Sequence, residues 1–493
     1  MKDFPKLSEQ QEKEVCEKLH QWCLGNGLVM YPPNYREYNV ECAPVTLYPT
    51  PIPRRLFEKA HNVQTLFNKL YAGVVTNYKD WLVERIRELS GFDKDYTGKL
   101  YEIYEKSLQA DGKSKQPFSL GLFRSDYMLS GDGEKDHSAL EIKQIEFNTV
   151  SISFGGLSTR AGQLHDYLNN SGTYDANYSY RYYDDEEIPI SDSLSGLARG
   201  LAWGNYYYHH EKDIRKTVVL FIVQKNERNC FDQRLIEYEL LKNYGLRSYR
   251  LTLQEVLQCT TVNQDKLYLK HSMDEVSVVY FRAGYSPSDY EVEPNLTWEA
   301  RLRLENSFAV KCPSILMQLA GSKKIQQLLN GNEIIEHVCP DLNTEEVNDL
   351  VSTFVAMYPL DSSQKGQLGK KLVFENPDNF VLKPQREGGG NNVYGEDILN
   401  VLRSLDEKDW GLYILMEMIR APTYQNKIIR LGTLYDEAII SELGIFGIVL
   451  YNENSGEIQV NDHASWLLRS KFGSSNEGGV AAGFGCIDSV YLY

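Results

Sequence analysis

Three stretches of this chain gather residue types that could hold a phosphate, a divalent cation and a carboxylate. The first is FVLKPQREGGGNNVYG, residues 380–395. Phe380–Leu382 reads as a strand that Pro384 ends. Gly388, Gly389 and Gly390 then let backbone amides approach an anion closely, because no Cβ intervenes. Lys383 is a point charge suited to phosphate, and Glu387 beside the loop suits magnesium. A bare glycine triplet would read as a flexible turn. The flanking Lys-Pro, the acid and Asn391-Asn392 argue for a ligand loop. G-x-x-x-x-G-K-[ST] is absent, and no G-x-G-x-x-G follows a strand, so neither a Walker A loop nor a nicotinamide site is supported.

The second stretch is ALEIKQIEFNTVSISFGGL, residues 139–157. A period of two puts Leu140, Ile142, Gln144, Glu146 and Asn148 on one strand face. Glu146 and Asn148 then stand about 6.6 Å apart along the strand, two hard oxygen ligands for magnesium. The SISFGG that follows offers hydroxyls and amides to a polar substrate. The third is LLRSKFGSSNEGGVAAGFG, residues 467–485, where Arg469 and Lys471 are i, i+2 and both suit anions. Its Gly/Ala-rich part, 478–485, has little bulk and could close as a lid. Arg124, Arg228 and Arg282 add a polyanion theme, each placed by the sequence at a strand end.

The elements that must position these groups follow from pattern. Residues 8–24 form a helix, with Ser8 and Gln11 as a capping pair, Val15, Leu19, Trp22 and Cys23 on one face, and Gly25-Asn26-Gly27 as the stop. MYPPNY and LYPTPIPRR must be extended and cannot be a central strand. Residues 166–214 are tyrosine-rich without regular spacing and read as a surface connection, then a helix near Leu194–Trp203. Val218–Val223 is a buried strand. A helix at Gln233–Tyr244 and strands at Arg247–Leu251, Lys266–Leu269 and Val276–Phe281 make a small parallel α/β unit, 216–315. A helix over Leu316–Leu329 and a final mixed region follow. The organisation expected is 1–215, an inserted unit 216–315, and 316–493.

Composition bounds the function. The chain has 493 residues, 42% hydrophobic and 24% charged, with a net charge of −16. That is ample for a folded core, and an acidic surface disfavours a nucleic-acid binder. Eight cysteines without Cys-x-x-Cys, and nine histidines without a zinc-hydrolase motif, read as free thiols in a reducing compartment. The charged N-terminus is no signal peptide, and no apolar run reaches the roughly 18 residues of a membrane span. A cytoplasmic, non-membrane protein is expected.

LYPTPIPR, FRSDY, QIEFNTVSISFGGLS, NERNCFDQ, YFRAGY, GSKKIQQLL, VLKPQREGGGNNVYGE, YILMEMI, ISELGIFG and LLRSKF…EGGVAAGFG closely resemble eukaryotic glutathione synthetase, in the form of a fungal member, from about residue 47 onward. The resemblance implies a circularly permuted ATP-grasp fold of α/β class, a homodimer, and ATP-dependent joining of γ-glutamylcysteine to glycine. By the same resemblance Glu146, Asn148 and Glu387 would hold two magnesium ions. Lys323 and Lys383 would contact ATP phosphates under the Gly388–Gly390 loop, with Lys324 the alternative to Lys323. Pro384, Gln385, Arg386, Asn391, Asn392, Tyr394, Met416, Glu417, Met418, Ile419, Glu442, Lys471 and Glu477 would complete the nucleotide site. A strand edge at Met416–Ile419 would offer adenine a donor and an acceptor. The peptide would meet Arg124, Val150, Ser151, Ile152, Ser153, Glu227, Arg228, Asn229, Gln233, Arg282, Ala283, Gly284 and Tyr285, with Arg469, Val480 and Ala481 closing on the glycyl end.

The implied chemistry suits this inventory. A carboxylate is a poor electrophile, so it first takes the γ-phosphoryl group, and glycine's amine then displaces phosphate. Catalytic weight would fall on Arg469, Lys383 and the glycine loop. A related ligase using another amine such as β-alanine is the alternative. A non-catalytic nucleotide-binding regulator would lack a metal ligand, and all three candidates are present.

Overall fold

The Ser8 hydroxyl accepts from the Gln11 amide, and the Gln11 side chain answers at the Ser8 amide. Helix α1 (Glu9–Asn26) therefore starts at the capping pair, and Gly27, at φ 77°, ends it in the left-handed region. The computed structural model describes residues 1–131, 137–175, 177, 180–209, 217–385, 391–475, 479–480, 483 and 485–493. A ribbon of β1 (Val29–Met30) and β2 (Glu41–Cys42) precedes the proline-rich stretch, which holds only short strands, β3 (Val45–Thr46) and β4 (Thr50–Ile52). Pro51 lies in a two-stranded sheet, not a central strand, as its missing N–H requires.

Helices α2 (Arg54–Val75), α3 (Lys79–Phe92) and α4 (Thr97–Ser107) lead to the hairpin β5 (Phe118–Ser130) and β6 (Glu141–Asn148), followed by α5 (Gly155–Asn170) and α6 (Ser193–His209). The expected surface connection at 166–214 is in part core. Tyr174 and Tyr183 are fully buried, and the Tyr174 hydroxyl donates to the Leu47 carbonyl at 2.8 Å. A tyrosine can bury its ring from a loop when its hydroxyl finds an acceptor, and that leaves no periodic signal.

The parallel unit forms from β7 (Thr217–Ile222), α7 (Cys230–Tyr244), β8 (Arg247–Leu251), α8 (Leu253–Cys259), β9 (Thr260–Asn263), β10 (Lys266–Leu269), β11 (Glu275–Phe281), α9 (Pro294–Asn306) and β12 (Val310–Cys312). β7 is buried throughout and runs parallel to β8 and β11, and β11 to β12. β10 departs from the expected parallel arrangement: it pairs antiparallel with β9 and β11, because a two-residue turn joins it to β9. The sheet also runs on, since β12 pairs in parallel with β5.

The helix expected over 316–329 is two, α10 (Ile315–Ala320) and α11 (Lys323–Leu328). A Cβ at Gly321 would stand 2.2 Å from Thr149 Oγ1, so the chain turns there against the loop that leaves β6. After α12 (Asn332–Val338) and α13 (Thr344–Ser352) comes a four-stranded antiparallel sheet. It contains β13 (Met357–Pro359), β14 (Phe380–Pro384), β15 (Val393–Tyr394) and β16 (Tyr413–Glu417), with α14 (Gln364–Glu375) and α15 (Glu396–Ser404) on one face. Alternation sorts its sides. Phe380 and Leu382 pack with Val373, Ile398 and Leu402, while Val381 packs with Ile414 and Met416 on the other face.

β17 (Tyr424–Arg430), β18 (Thr433–Asn452), β19 (Ile458–Phe472) and β20 (Gly485–Asp488) complete a 13-stranded sheet, and β21 (Val490–Leu492) pairs with β4. β5 sits where the sheet changes from parallel to antiparallel, between β12 and β18. Leu122 and Phe123 of β5 point into the two large cores on opposite faces. All eight cysteines are free thiols. Among the described residues no helix is long and apolar enough to cross a membrane.

Candidate active site

The register of β5 and β6 explains how Glu146 and Asn148 come to face a cavity. Tyr127 pairs with Gln144 and Asp126 with Glu146, so Ile145 is an extra residue, a β-bulge. The expected single face for 140–148 is therefore corrected. Leu140 and Ile142 point into the core before the bulge, and Phe147 does so after it. Glu146 and Asn148 share the other side, which lines a cavity of about 850 Å³. The bulge residue's carbonyl accepts from Lys383 Nζ at 2.9 Å.

Arg124 is mid-strand in β5, not at a strand end as the sequence suggested. Two residues on, Asp126 shares its face and takes a two-pronged grip from the guanidinium at 2.6 and 2.7 Å. Both are buried. The residue opposite Asp126 is Gly444, where a Cβ would stand 2.8 Å from Asp126 Oδ1 and 2.9 Å from Arg124 Cδ. Only glycine leaves room for this ion pair on the sheet.

From Asp126 the charges spread across neighbouring strands. Arg469 of β19 donates to Asp126 Oδ2 at 3.1 Å and to Glu442 Oε2 at 3.0 Å. Lys471, on the same face, lies 3.4 Å from Glu442 Oε1. Asn148 Nδ2 reaches Asp126 Oδ2 at 3.1 Å and Glu146 Oε1 at 3.2 Å. Lys323 Nζ donates to Glu146 Oε2 at 2.9 Å. Lys324 instead turns to Gln327 and has no place on the cavity wall, so Lys323 is the lysine that faces the site. Burial alone would raise the Glu146 carboxyl, but the ammoniums of Lys323 and Lys383 and the Arg124 guanidinium hold it well below its ordinary range. Burial likewise opposes ionisation of Glu442, and Arg469 and Lys471 overcome it. Arg124, Arg469, Lys323, Lys383 and Lys471 meet Asp126, Glu146 and Glu442 here, and Glu291 and Glu417 also line the cavity, so the cleft is dense in charges of both signs.

The small sheet forms the facing wall. Val381, Lys383, Asn391, Asn392, Tyr394, Met416, Glu417, Met418 and Ile419 line it. The amides of Glu417 and Met418 donate to Ala356 and Asn379 carbonyls, at 3.0 and 2.8 Å. The strand-edge donor expected at Met416–Ile419 is thus not available at those two residues. Pro384 pairs with Tyr413, and the Gln385 side-chain Oε1 accepts from the Lys324 backbone amide at 3.0 Å, so both stand off the cavity wall.

The side of the cavity where the peptide is expected is a turn. Val150, Ser151, Ile152, Ser153 and Tyr285 line the cavity, with Val480 above. Ser151 and Phe154 have φ of 53° and 73°. Their conformation is held from behind. Asp232 accepts from the amides of Phe154, Gly156 and Leu157 at 2.8, 2.8 and 3.1 Å, and Arg282 donates to Ile152's carbonyl and to Ser153 Oγ. Glu227, Asn229, Gln233, Arg282 and Ala283 lie behind this turn and off the cavity wall. Glu227 accepts from the Asn229 amide at 2.8 Å. Arg228 Nε donates to the Tyr31 carbonyl at 3.1 Å, which ties it to the N-terminal ribbon. Gly284, at φ 91°, forms the turn whose amides Asp289 accepts. Arg386, Glu387, Gly388, Gly389, Gly390, Glu477 and Ala481 lie outside the described residues.

Sequence reasoning missed Asp126, buried at the centre of the network, and Gln224, Ser286, Ser288 and Glu291 at the mouth. Ser286 and Asp289 form a capping box, a signal present in the sequence SPSD.

A broad mixed sheet and a small antiparallel sheet, closing from two sides on a highly charged cleft, define an ATP-grasp-type ligase. The family model for eukaryotic glutathione synthase, ATP binding domain, matches residues 9–492. The chain belongs to that family. It is 37% identical to the glutathione synthetase large chain of Schizosaccharomyces pombe, over 99% of both chains. It is also 37% identical to the glutathione synthetase of Homo sapiens, over 98% of this chain and 97% of that one. A solved glutathione synthetase-like effector from Globodera pallida, in its apo form, shares the fold at a TM-score of 0.76 and 21% identity, covering 100% of both chains.

Proposed function

We propose that the protein joins γ-glutamylcysteine to glycine at the expense of ATP, releasing ADP and phosphate. The observation that carries this is the unbroken run of charged contacts from Lys323 through Glu146, Asn148 and Asp126 to Arg469, Glu442 and Lys471. It offers separate cationic ends for a triphosphate and for a peptide carboxylate across one cleft. Lys323 and Lys383 bind phosphate oxygens, and the apolar face of Val381 and Met416 takes the base. Arg124 and Arg469 hold the cysteinyl carboxylate toward the γ-phosphoryl group. That carboxylate becomes an acyl phosphate, which the glycine amine attacks. Excluding water protects the acyl phosphate, a task we assign to 388–390 and 478–485.

Magnesium is a fitting companion. Glu146 is an ionised carboxylate, and Asn148, whose Nδ2 serves Glu146 and Asp126, turns Oδ1 the other way. With Glu387 these would hold two ions, which when bound supply positive charge against the phosphates. Among the described residues no three acidic, His or Cys side chains cluster, so Glu387 is needed to complete the set. We further propose a cytoplasmic homodimer that takes neither nucleic acid nor membrane. The division at 215/216 and 315/316 is supported by the parallel run of β8, β7, β11 and β12.

The test is product analysis with ATP, magnesium, γ-glutamylcysteine and either glycine or β-alanine. Glutathione, ADP and phosphate are expected with glycine. AMP and pyrophosphate, or preference for β-alanine, would overturn the reading.

A further inference from the structure

The geometry points to Arg250, on β8 and off the cavity wall, as a positioning residue that fixes the amide of Gln233 so that its N–H donors face the amino-acid end of the γ-glutamyl group. This rests on the reading above that Gln233 serves the peptide. Gln233 is fully buried in the first turns of α7. The oxygen and nitrogen of a glutamine amide have nearly the same shape, so partners decide which way the group lies. Arg250 Nη2 stands 2.8 Å from this amide. A guanidinium has donors only, so the atom facing it must be Oε1. Nε2 is thereby turned away from Arg250, and among the described residues it is buried without a hydrogen-bond partner.

Arg250 is itself gripped. Its Nη1 donates to Glu237 Oε1 at 2.6 Å. Glu237 Oε2 accepts from Ser248 Oγ at 2.8 Å and Arg234 Nη1 at 2.9 Å. Gln233 and Glu237 are one turn apart on α7, and Ser248 and Arg250 share one face of β8, so helix and strand present these groups to each other by periodicity alone. The result is a two-ended clamp on the guanidinium, and a unique orientation for the amide.

Asn229 Oδ1 and Arg282 Nε, from the same set of peptide candidates as Gln233, are among the other buried atoms without a hydrogen-bond partner in the described residues. Asn229 lies one turn before Gln233, and Arg282 braces the Ile152–Ser153 turn. Donors from Gln233 and Arg282 with an acceptor from Asn229 complement a carboxylate beside an ammonium. A flipped Gln233 would set its oxygen against the carboxylate.

The experiment compares wild type, Arg250→Met, Gln233→Ala and the double variant on γ-glutamylcysteine and on 4-aminobutyryl-cysteine, which lacks the α-carboxylate. Arg250→Met is expected to raise KM for γ-glutamylcysteine about ten-fold, with KM for ATP and kcat within about two-fold. Discrimination between the two substrates, as the ratio of kcat/KM, should fall about ten-fold, and the double variant should match Gln233→Ala. An unchanged ratio, or additive losses, would overturn the role. Should Arg250→Met not fold, Arg250→Lys keeps a charge but not the two-ended grip, and the ratio should fall about three-fold; no fall overturns the inference. A wild type that makes no glutathione overturns the ligase reading and this inference together, whereas an active wild type with an unmoved ratio in the variants overturns only this inference.

Discussion

The two walls of the cleft solve different problems. The large sheet meets it with charges that hold one another: Arg124 on Asp126, Arg469 on Asp126 and Glu442, Lys323 on Glu146. The small sheet meets it with Val381, Met416, Tyr394, Glu417 and the Lys383 ammonium, which reaches back to the large sheet at the Ile145 carbonyl. Pre-paired buried charges cannot reorganise freely, so the large wall arrives set for anions. The small wall has a flat apolar face that suits stacking against a base. One wall offers fixed charge and the other a shaped apolar face.

The largest expected effect tests the charged wall. Glu146→Gln keeps shape but removes the negative charge that Lys323 and a cation would share. We expect kcat to fall at least about 100-fold, with the melting temperature little changed. Near-normal turnover at saturating magnesium would show that the walls do not divide the work this way. A smaller effect tests the apolar wall. Met416→Ala should raise KM for ATP by about five- to ten-fold through lost apolar contact, with kcat within about two-fold. A change in peptide KM instead would put the base elsewhere.

The last prediction concerns acid. His165 lies at the large sheet's rim, with Nδ1 2.6 Å from Ser489 Oγ and Nε2 2.9 Å from the Thr46 carbonyl. Burial pushes its pKa down from 6.5 to about 4. The folded value is depressed, so the stabilisation is present above the unfolded pKa and is lost as pH falls from 6.5 toward 4. The loss is at most about 3 kcal/mol, a few degrees in melting temperature. Residues 353–419, which carry the small sheet, contain no histidine. Asp488, beside Ser489, is pushed up to about 6 by burial and so gains stability as pH falls, which offsets part of this loss. In hydrogen exchange at pH 5, His165→Gln should therefore change protection at the rim of the large sheet and leave the small sheet as it was, and the variant should show a flatter fall of melting temperature between pH 6.5 and 4. Equal acid sensitivity of both sheets would remove the distinction.

The sequence carried the local elements well where periodicity was regular. Helix α1, β7, β8 and β10 fall within a residue or two of expectation, and most predicted ligands meet in one cavity. It misled where one residue changed the count. The bulge at Ile145 reverses which face is buried, and alternation cannot reveal a bulge because Ile142 and Phe147 both look like core in either frame. Gly321 split a helix for a contact with Thr149, distant in sequence. Arg124 stands only two residues from Asp126, but the other partners of Asp126 lie on β6 and β19, and only the register shows it to be the centre of the network.

The place of β5 bears on how the molecule is made. Ser119 pairs with Lys311 on one side and with Tyr451 on the other. A nascent chain that has produced β5 gains β6 soon after, but must reach residues 310–312 for β12 and 433–452 for β18. Until then the edge of β5 that β18 will cover is unpaired, and the strand can join only its hairpin partner β6. Because Glu442, Arg469 and Lys471 come from β18 and β19, the charged network around Asp126 can close only once nearly the whole chain has been made.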